Sequence, residues 1–507
     1  MQREEVLPDQ AFLPFPSYSA RSKKDALLEL MRPCDRFRSP LSTMERLRLM
    51  LSKEFAQQDM LANVTDVLAP GVPLNWQSIL RYLHRRGVID EPHFTFTRRS
   101  NDLPKTYGVE LRAHTETATT DGRVMDMYAY ASSFDVEVAM GKVIGEILER
   151  YFLTLYKRGS FKRASFETVK SRALDISALN SFLPWQAEKN LRFKKDVGSS
   201  FYWVRGERID GRPVYIPSQL IFWNYDFSHD TNEPILAQPI TNGAAGHFTK
   251  DEAILGGLLE LIERDGFLIY WLNGLSPRVI DIPAGQDSDL TRFLDLIERY
   301  GLDIQFLDTT TDVGIPSVTC VLIDSRGAEP QLIVSGASGF SMRDTILKSG
   351  HEALNILQLR TERKDFSLPD NYEPFIDEVI GHRERIALWK GAQMMERFSF
   401  FLQGEHESID EFFGNTPQEL SAGARLAYVV NKFAALGSGY EIYVYEAKHK
   451  VLKTLGYHVV QTIVPQLMPL YLNEHFVPLD SKRLREVPAK IGYEAASELN
   501  PWPHPFP

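Results

Sequence analysis

The sequence predicts a large mixed α/β domain that carries a nucleotide site on repeated helices, preceded by a small and mostly helical region. Three observations carry this expectation. Strand-like runs alternate with long helical patterns from about residue 100 onward, no Gly/Ser-rich linker divides that stretch, and three of the helical patterns resemble one another in their caps and carboxylates. The 507 residues, 43% hydrophobic and 24% charged, supply enough apolar side chain for a substantial core.

Residues 1–95 form the expected helical region, and residues 96–507 the catalytic domain. LSTMERLRLMLSKEF and WQSILRYLHRRGVID space their apolar residues at the helical period; Gly87 ends the second, and the β-prone FTFT follows. A helix followed by a short hairpin fits a winged-helix peptide-docking module, or a packing or dimerising subdomain. The opening MQREEVLPDQAF has no basic segment followed by an apolar run, and no stretch approaches the length of a membrane span. The expected location is therefore cytoplasmic. A net charge of −10 argues against a nucleic-acid partner. Cys34 and Cys320 are too far apart, and too isolated, to suggest a disulfide framework or a structural zinc site.

Further along, SFYWVRGE, RPVYIP, PSVTCVLI and PQLIVSG read as strands. Before, among and after them lie three related helices: DVEVAMGKVIGEILERYF begins at Asp135, TKDEAILGGLLELIERDGF at Thr249 and SMRDTILKSGHEALNILQL at Ser341. Thr249 with Glu252, and Ser341 with Asp344, fit the capping-box pattern. Eleven positions after each cap stands a glutamate: Glu146, Glu260 and Glu352. Eleven residues are about three helical turns, so cap and carboxylate share a side.

The first two helices repeat Glu-x-x-Glu-Arg as Glu146, Glu149, Arg150 and as Glu260, Glu263, Arg264; the third has Glu352 with Asn355. Carboxylates three apart face the same way, and here they are set among Ile, Leu, Val and Phe. Burying them requires cations nearby. Two kinds fit: the arginines of the motif itself, in a structural salt-bridge lattice, or a hard metal. A di-iron bundle needs Glu-x-x-His pairs, which are missing, whereas an all-carboxylate site suits magnesium carrying a nucleotide phosphate. Neighbouring arginines would then face the phosphates. No Walker A or kinase signature offers another phosphate site.

These segments resemble the YcaO family. TNGAAGHFTKDEAILGGLLELIERD is similar to its Asn-Gly…Glu-Ala…Glu-x-x-Glu-Arg block, and GKVIGEILERY to its earlier Ser-x-x-x-Glu-x-x-Glu-Arg block. DTTTDVGIPSVTCVLID and GYHVVQTIVPQLMPLY are similar to later strands, and Ser349 to Asn355 to a Glu-x-x-Gln helix. The resemblance implies an ATP- and Mg2+-dependent enzyme, with Glu146, Glu149, Glu260 and Glu263 on the metal. It implies that Arg150, Thr241, Asn242, Glu252, Arg264, Lys348, Glu352 and Asn355 contact or orient the nucleotide. Three departures stand out: Lys142 in place of the serine, Asn355 in place of the glutamine, and Gly246 one place early.

The sequence closes on Pro501-Trp-Pro-His-Pro-Phe-Pro507, and Pro503, Pro505 and Pro507 resemble the Pro-x-Pro-x-Pro end of the azoline-forming members. Alternating prolines favour a stiff polyproline-II segment, suited to delivering the Pro507 carboxylate to a fixed place. The resemblance therefore implies ATP-dependent cyclodehydration of Cys, Ser or Thr in a ribosomally made precursor peptide, as in thiazole/oxazole-modified microcin synthesis. It implies a leader-binding partner protein and a flavin dehydrogenase in a synthetase complex, and allows a homodimer. A thioamide- or amidine-forming member would use the same ATP site but normally lacks the proline end. A non-catalytic scaffold would follow if Lys142 filled the nucleotide pocket.

Overall fold

Period-two burial explains the central sheet. Along Ser317–Asp324, Val318, Cys320 and Leu322 enter one apolar cluster while Val321 enters another, so this strand is covered on both faces. The computed structural model describes residues 76–90, 93–96, 104, 106–115, 125–193, 198–283, 288–326, 331–359, 366–377, 381–412 and 420–506. The helix expected at 41–55 and the Pro507 assignment lie outside them.

In chain order the principal elements are α1 (Trp76–Arg85), β1 (His93–Phe96), β2 (Tyr107–His114), β3 (Asp126–Ser133) and α2 (Val136–Phe152). There follow β4 (Lys162–Ser165), β5 (Ser200–Arg208), β6 (Pro213–Pro217), β7 (Ala244–His247), α3 (Lys250–Leu272), β8 (Arg278–Asp281) and α4 (Ser288–Arg299). The rest are β9 (Asp303–Asp308), β10 (Ser317–Asp324), β11 (Gln331–Ser338), α5 (Met342–Leu359), α6 (Gly381–Leu388), β12 (His406–Ser408), α7 (Ala422–Ala435), β13 (Tyr443–Glu446), β14 (His458–Ile463) and α8 (Lys482–Lys490). This is the mixed α/β architecture expected, with the four quoted strand runs appearing as β5, β6, β10 and β11.

Three sheets form. The first has the order β1-β2-β3, and the second β11-β10-β9-β8-β12. The third is β4-β5-β13-β14-β7, with β6 added to β5. All pairings are antiparallel except β12 with β8. Helix α3 lies between the second and third sheets. Its first half packs Ile254, Leu258 and Ile262 with Val444 and Val460, and its second half packs Phe267 and Trp271 with Val321 and Val334. Helix α2 covers the first sheet through Ala139, Val143 and Ile147, in a core it shares with Ile79 and Leu83 of α1. Helix α5 covers the outer face of β10 and β11. Among the described residues no helix is long and apolar enough to cross a membrane.

Candidate nucleotide and metal site

The three caps form where the sequence places them. Asp135 accepts from the Glu137 N–H at 2.7 Å, Thr249 Oγ1 from the Glu252 N–H at 3.4 Å, and Ser341 Oγ from the Asp344 N–H at 3.3 Å. The reciprocal half of the Thr249 box is not made: the Thr249 N–H goes to His247 Nδ1, and the Glu252 carboxylate takes Arg425 of α7. Glu252 thus keeps its place on the stripe of α3 that leads to Glu260, bridged to a second helix.

Each Glu-x-x-Glu-Arg motif then divides its labour. Arg150 holds Glu146 at 2.6 Å and donates also to the Tyr128 carbonyl; Arg264 holds Glu260 at 2.7 Å and donates to Asn242 Oδ1 at 2.6 Å. Asn242 is itself fixed by donating to the Leu470 carbonyl at 2.8 Å. The backbone supplies the remaining donors. Gly243 N–H reaches Glu260 Oε2 at 2.6 Å, Gly246 N–H reaches Glu149, and Tyr130 N–H reaches Glu146.

The segment 241–246 therefore stitches α2 to α3. Gly243 has φ +79°, open to glycine at no steric cost. At Gly246 a Cβ would lie 2.6 Å from the Tyr457 ring, so the placement of this glycine follows from the tyrosine packed on it. On the other side, β3 is an edge strand. Its outward groups at 128, 130 and 132 meet Arg150, Glu146 and Asn355 respectively.

Asn355 Oδ1 accepts from the Ser132 N–H at 3.0 Å and from its hydroxyl at 2.8 Å, and its amide faces Glu352 at 3.4 Å. It ties α5 to β3 and orients Glu352. Lys348 is exposed, one turn before Glu352, and its charge acts on Glu263 and Glu260. Thr241 is half-buried at the start of the stitching turn, its carbonyl accepting from the Ala244 N–H at 3.3 Å. Lys142, one turn before Glu146, is exposed; its charge and burial hold His351 below the ordinary imidazole range, burial being the larger cause.

These contacts bear on the two cation readings. An i,i+4 ion pair is worth roughly 0.3–0.5 kcal/mol, and the arginines cover only Glu146 and Glu260. Among the described residues Glu149 and Glu263 make no ion pair. Burial, then the neighbouring Glu260 and Glu146, push the Glu149 carboxyl up to about 8. Burial pushes Glu263 up to about 7 against the pull of Lys348 and Arg264. An arginine lattice leaves the cluster short of positive charge. The donor set is all oxygen and partly open to solvent, with 34% of the Glu146 and 27% of the Glu260 side chain exposed. That chemistry fits a hard divalent cation with a phosphate-bearing ligand. No three of the described acidic groups already converge as a formed metal cage.

A YcaO family model, described as a cyclodehydratase that binds ATP and Mg2+, matches residues 121–468. The chain belongs to the YcaO family. Its ligands in that family are ATP and Mg2+. A solved heterocyclase in complex with substrate and cofactor superposes with a TM-score of 0.65 at 20% identity, over 85% of this chain and 57% of that one. YcaO from Methanopyrus kandleri, bound with AMPPCP and Mg2+, gives 0.53 at 15% identity, over 79% of this chain and 92% of that one. At these identities both likenesses concern the fold. An uncharacterized protein of Methanothermobacter thermautotrophicus is 29% identical over 147 residues, 28% of this chain and 37% of the relative. The chain thus spans less than two thirds of that relative and of the heterocyclase.

Several residues of this YcaO site are invisible to motif reading. Arg425, Tyr457, Ser132 and the β3 edge come from elements distant in sequence, and no local spacing marks them. The proline segment is also placed. Pro503 to Phe506 run beside α3, where the Phe506 ring lies tilted with its centroid 4.8 Å from that of Phe267 and a Cβ on Gly336 would touch both Phe506 and Glu263. A cavity of about 900 Å³ at Tyr270, Arg278, Asp308, Tyr428 and Tyr493 contains none of the predicted site residues in its wall.

Proposed function

We propose that this YcaO protein uses ATP to convert Cys, Ser or Thr residues of a ribosomally made peptide into thiazoline or oxazoline rings. The observation that carries the ATP half is the shortage of positive charge among Glu146, Glu149, Glu260, Glu263 and Glu352, on three helices that also bring Arg150, Arg264 and Lys348. The ring-forming half rests on the Pro503–Phe506 segment, held beside Glu263.

In the proposed reaction the side-chain oxygen or sulfur of the substrate residue adds to the preceding backbone carbonyl carbon, closing the five-membered ring and releasing its own proton to solvent. The former carbonyl oxygen takes the γ-phosphoryl group of ATP, releasing ADP. Phosphate then departs with that oxygen, the amide nitrogen gives up its proton to solvent, and the C–N bond of the ring becomes C=N. Glu146, Glu149, Glu260 and Glu263 would hold magnesium, which supplies neutralisation of charge on the transferring phosphoryl. Gly243, Gly246 and Tyr130 aim three of those carboxylates through backbone N–H groups. Arg150 and Arg264 are each anchored to a carbonyl or amide oxygen and would face the phosphates. Lys348 and Lys142, exposed and without an ion pair among the described residues, are available to phosphate oxygens. Asn242, Thr241, Glu252, Glu352 and Asn355 complete the proposed nucleotide wall, and Pro503, Pro505 and Pro507 the proposed substrate side.

Lys142 is exposed, which favours the catalytic reading over a scaffold whose nucleotide pocket this side chain fills. A separate leader-binding protein that presents the precursor belongs to this reading. The test is the product: with peptide and partner, ADP and phosphate should appear in step with peptide mass lower by one water per ring. A mass gain matching oxygen-for-sulfur exchange would overturn the ring-forming half and leave the ATP site standing.

A further inference from the structure

Prolines donate no backbone N–H, so every second residue of this segment can be held only by its carbonyl and its ring. Here three successive carbonyls are each met by a side-chain donor. Trp271 Nε1 donates to the Trp502 carbonyl at 3.1 Å, Trp389 Nε1 to that of Pro503 at 3.2 Å, and Arg385 Nη1 to that of His504 at 3.0 Å. His504 in turn donates from Nε2 to the Tyr471 carbonyl at 2.7 Å, and the Phe506 ring lies against Phe267.

The register follows from two rises. From Trp271 to Glu263 helix α3 climbs eight residues, about 12 Å. From Trp502 to Phe506 an extended proline segment covers four residues, also about 12 Å. Trp502 therefore meets Trp271 at one end, and Phe506 arrives beside Phe267 and Glu263 at the other.

The donor at the third carbonyl is expensive. Arg385 and Glu474 are both 0% exposed and pair at 2.5 Å, with Arg385 Nη2 shared to the Leu472 carbonyl. A buried ion pair is weak evidence for stability, since an apolar replacement often serves as well, and its best-attested use is to fix a register. Arg385 sits on α6, outside the carboxylate cluster.

We propose that Arg385, with Trp389, is a positioning residue: it sets how far the proline segment reaches toward Glu263, and so sets the rate of ring formation without contacting nucleotide. This rests on the reading that the proline segment serves ring formation. Two substitutions separate donor from packing. Trp389→Phe removes the indole N–H but keeps a ring edge-on to Trp271 and Phe398, and Arg385→Lys keeps the charge on Glu474 but loses the fork. A displacement on the order of 1 Å at a reacting centre costs about 100-fold. The kcat for ring formation should therefore fall about 10- to 100-fold in both variants, with KM for ATP within about twofold. In a background lacking Pro505–Pro507, neither substitution should lower the residual rate further: the Pro503 and His504 carbonyls they hold remain, but the end whose reach they set is gone. If Arg385→Lys does not fold, Trp389→Phe decides alone.

Wild-type kcat in the folded variants, alongside a crippled deletion, overturns the positioning role and leaves the proline segment's function intact. A further fall in the deletion background also overturns it, as a general packing defect. An active deletion removes the role of the segment itself, and the positioning role with it.

Discussion

Glu260→Gln separates the metal reading from a structural one, because the amide keeps the shape and loses the charge. The glutamine oxygen can still accept from Gly243 N–H, now 2.6 Å from Oε2, while its NH2 would face Arg264, whose contact to Oε1 is 2.7 Å. Arg264 retains Asn242 as an acceptor. The lost i,i+4 pair is worth about 0.3–1 kcal/mol at this exposure. Against it stands relief: burial already raises the Glu260 carboxyl above its ordinary range, so a neutral group sits there at lower cost. Stability should change by no more than about 1 kcal/mol, a melting shift of a few degrees. Turnover should behave differently. Removing one preorganised charge partner of a transferring group typically costs on the order of 10²–10³ in rate, about 2.7–4 kcal/mol. Peptide-dependent phosphate release across a magnesium titration, beside thermal unfolding, reads both quantities. A folded Glu260→Gln protein within threefold of wild-type turnover at every magnesium concentration would refute the assignment of this carboxylate.

Other outcomes follow from neighbouring contacts. Gly246→Ala drives a Cβ to 2.6 Å from the Tyr457 ring; it should destabilise by about 1–3 kcal/mol and weaken magnesium-dependent nucleotide binding, with Tyr457→Leu restoring part of both, and wild-type behaviour of Gly246→Ala alone would remove the stitching role of this segment. In cation-free protein, carboxyls raised to about 8 at Glu149 and about 7 at Glu263 bind protons more tightly folded than unfolded. Their stabilisation is present below the ordinary glutamate range and is lost as pH rises through the folded values, at up to about 1.4 kcal/mol per pH unit per group. Denaturation in chelator from pH 5 to 8 should show this decline, flattened by Glu149→Gln; stability that rises over the window contradicts the crowding of these carboxylates. Appending a short tag after Pro507, or deleting Pro505–Pro507, should reduce ring formation sharply while nucleotide affinity stays within about threefold; unchanged cyclisation in the tagged protein would remove the support for azoline chemistry, and a joint loss of both activities would make the segment part of the nucleotide pocket. Deletion also removes the buried Phe506 ring, worth about 3 kcal/mol, so rates are compared where both proteins are folded.

How much of this site could be read in the sequence depends on how far apart in the chain the cooperating groups lie. Caps, helix spans and the Glu-x-x-Glu-Arg stripes are local: spacing of three, four and eleven residues fixes a face, and Asp135, Thr249 and Ser341 cap where expected. The strands β10 and β11 were equally readable, being apolar runs of eight residues covered on both faces. What spacing cannot encode is what meets the carboxylate that the arginine leaves out. Glu146 and Glu149 have the same motif, yet only Glu146 is paired with Arg150, because i,i+4 geometry brings that side chain under the guanidinium while Glu149 turns toward Glu260 and the Gly246 N–H.

The same limit governs the departures from the family pattern. Asn355 reads locally as a shortened glutamine with less reach, but its oxygen goes to Ser132, 223 residues away, on an edge strand whose other outward groups serve Glu146 and Arg150. A longer glutamine would have to displace either β3 or Glu352 to make the same pair of contacts. The substitution is therefore compensated by where the strand sits, and nothing near residue 355 could reveal it. Glu252 follows this logic in reverse: the capping box promises its carboxylate to Thr249, and Arg425 takes it instead, since a charged donor across an interhelical contact outcompetes a neutral backbone N–H. In both cases the local rule is correct about the element and silent about the partner, and it is the partner that determines what the site can hold.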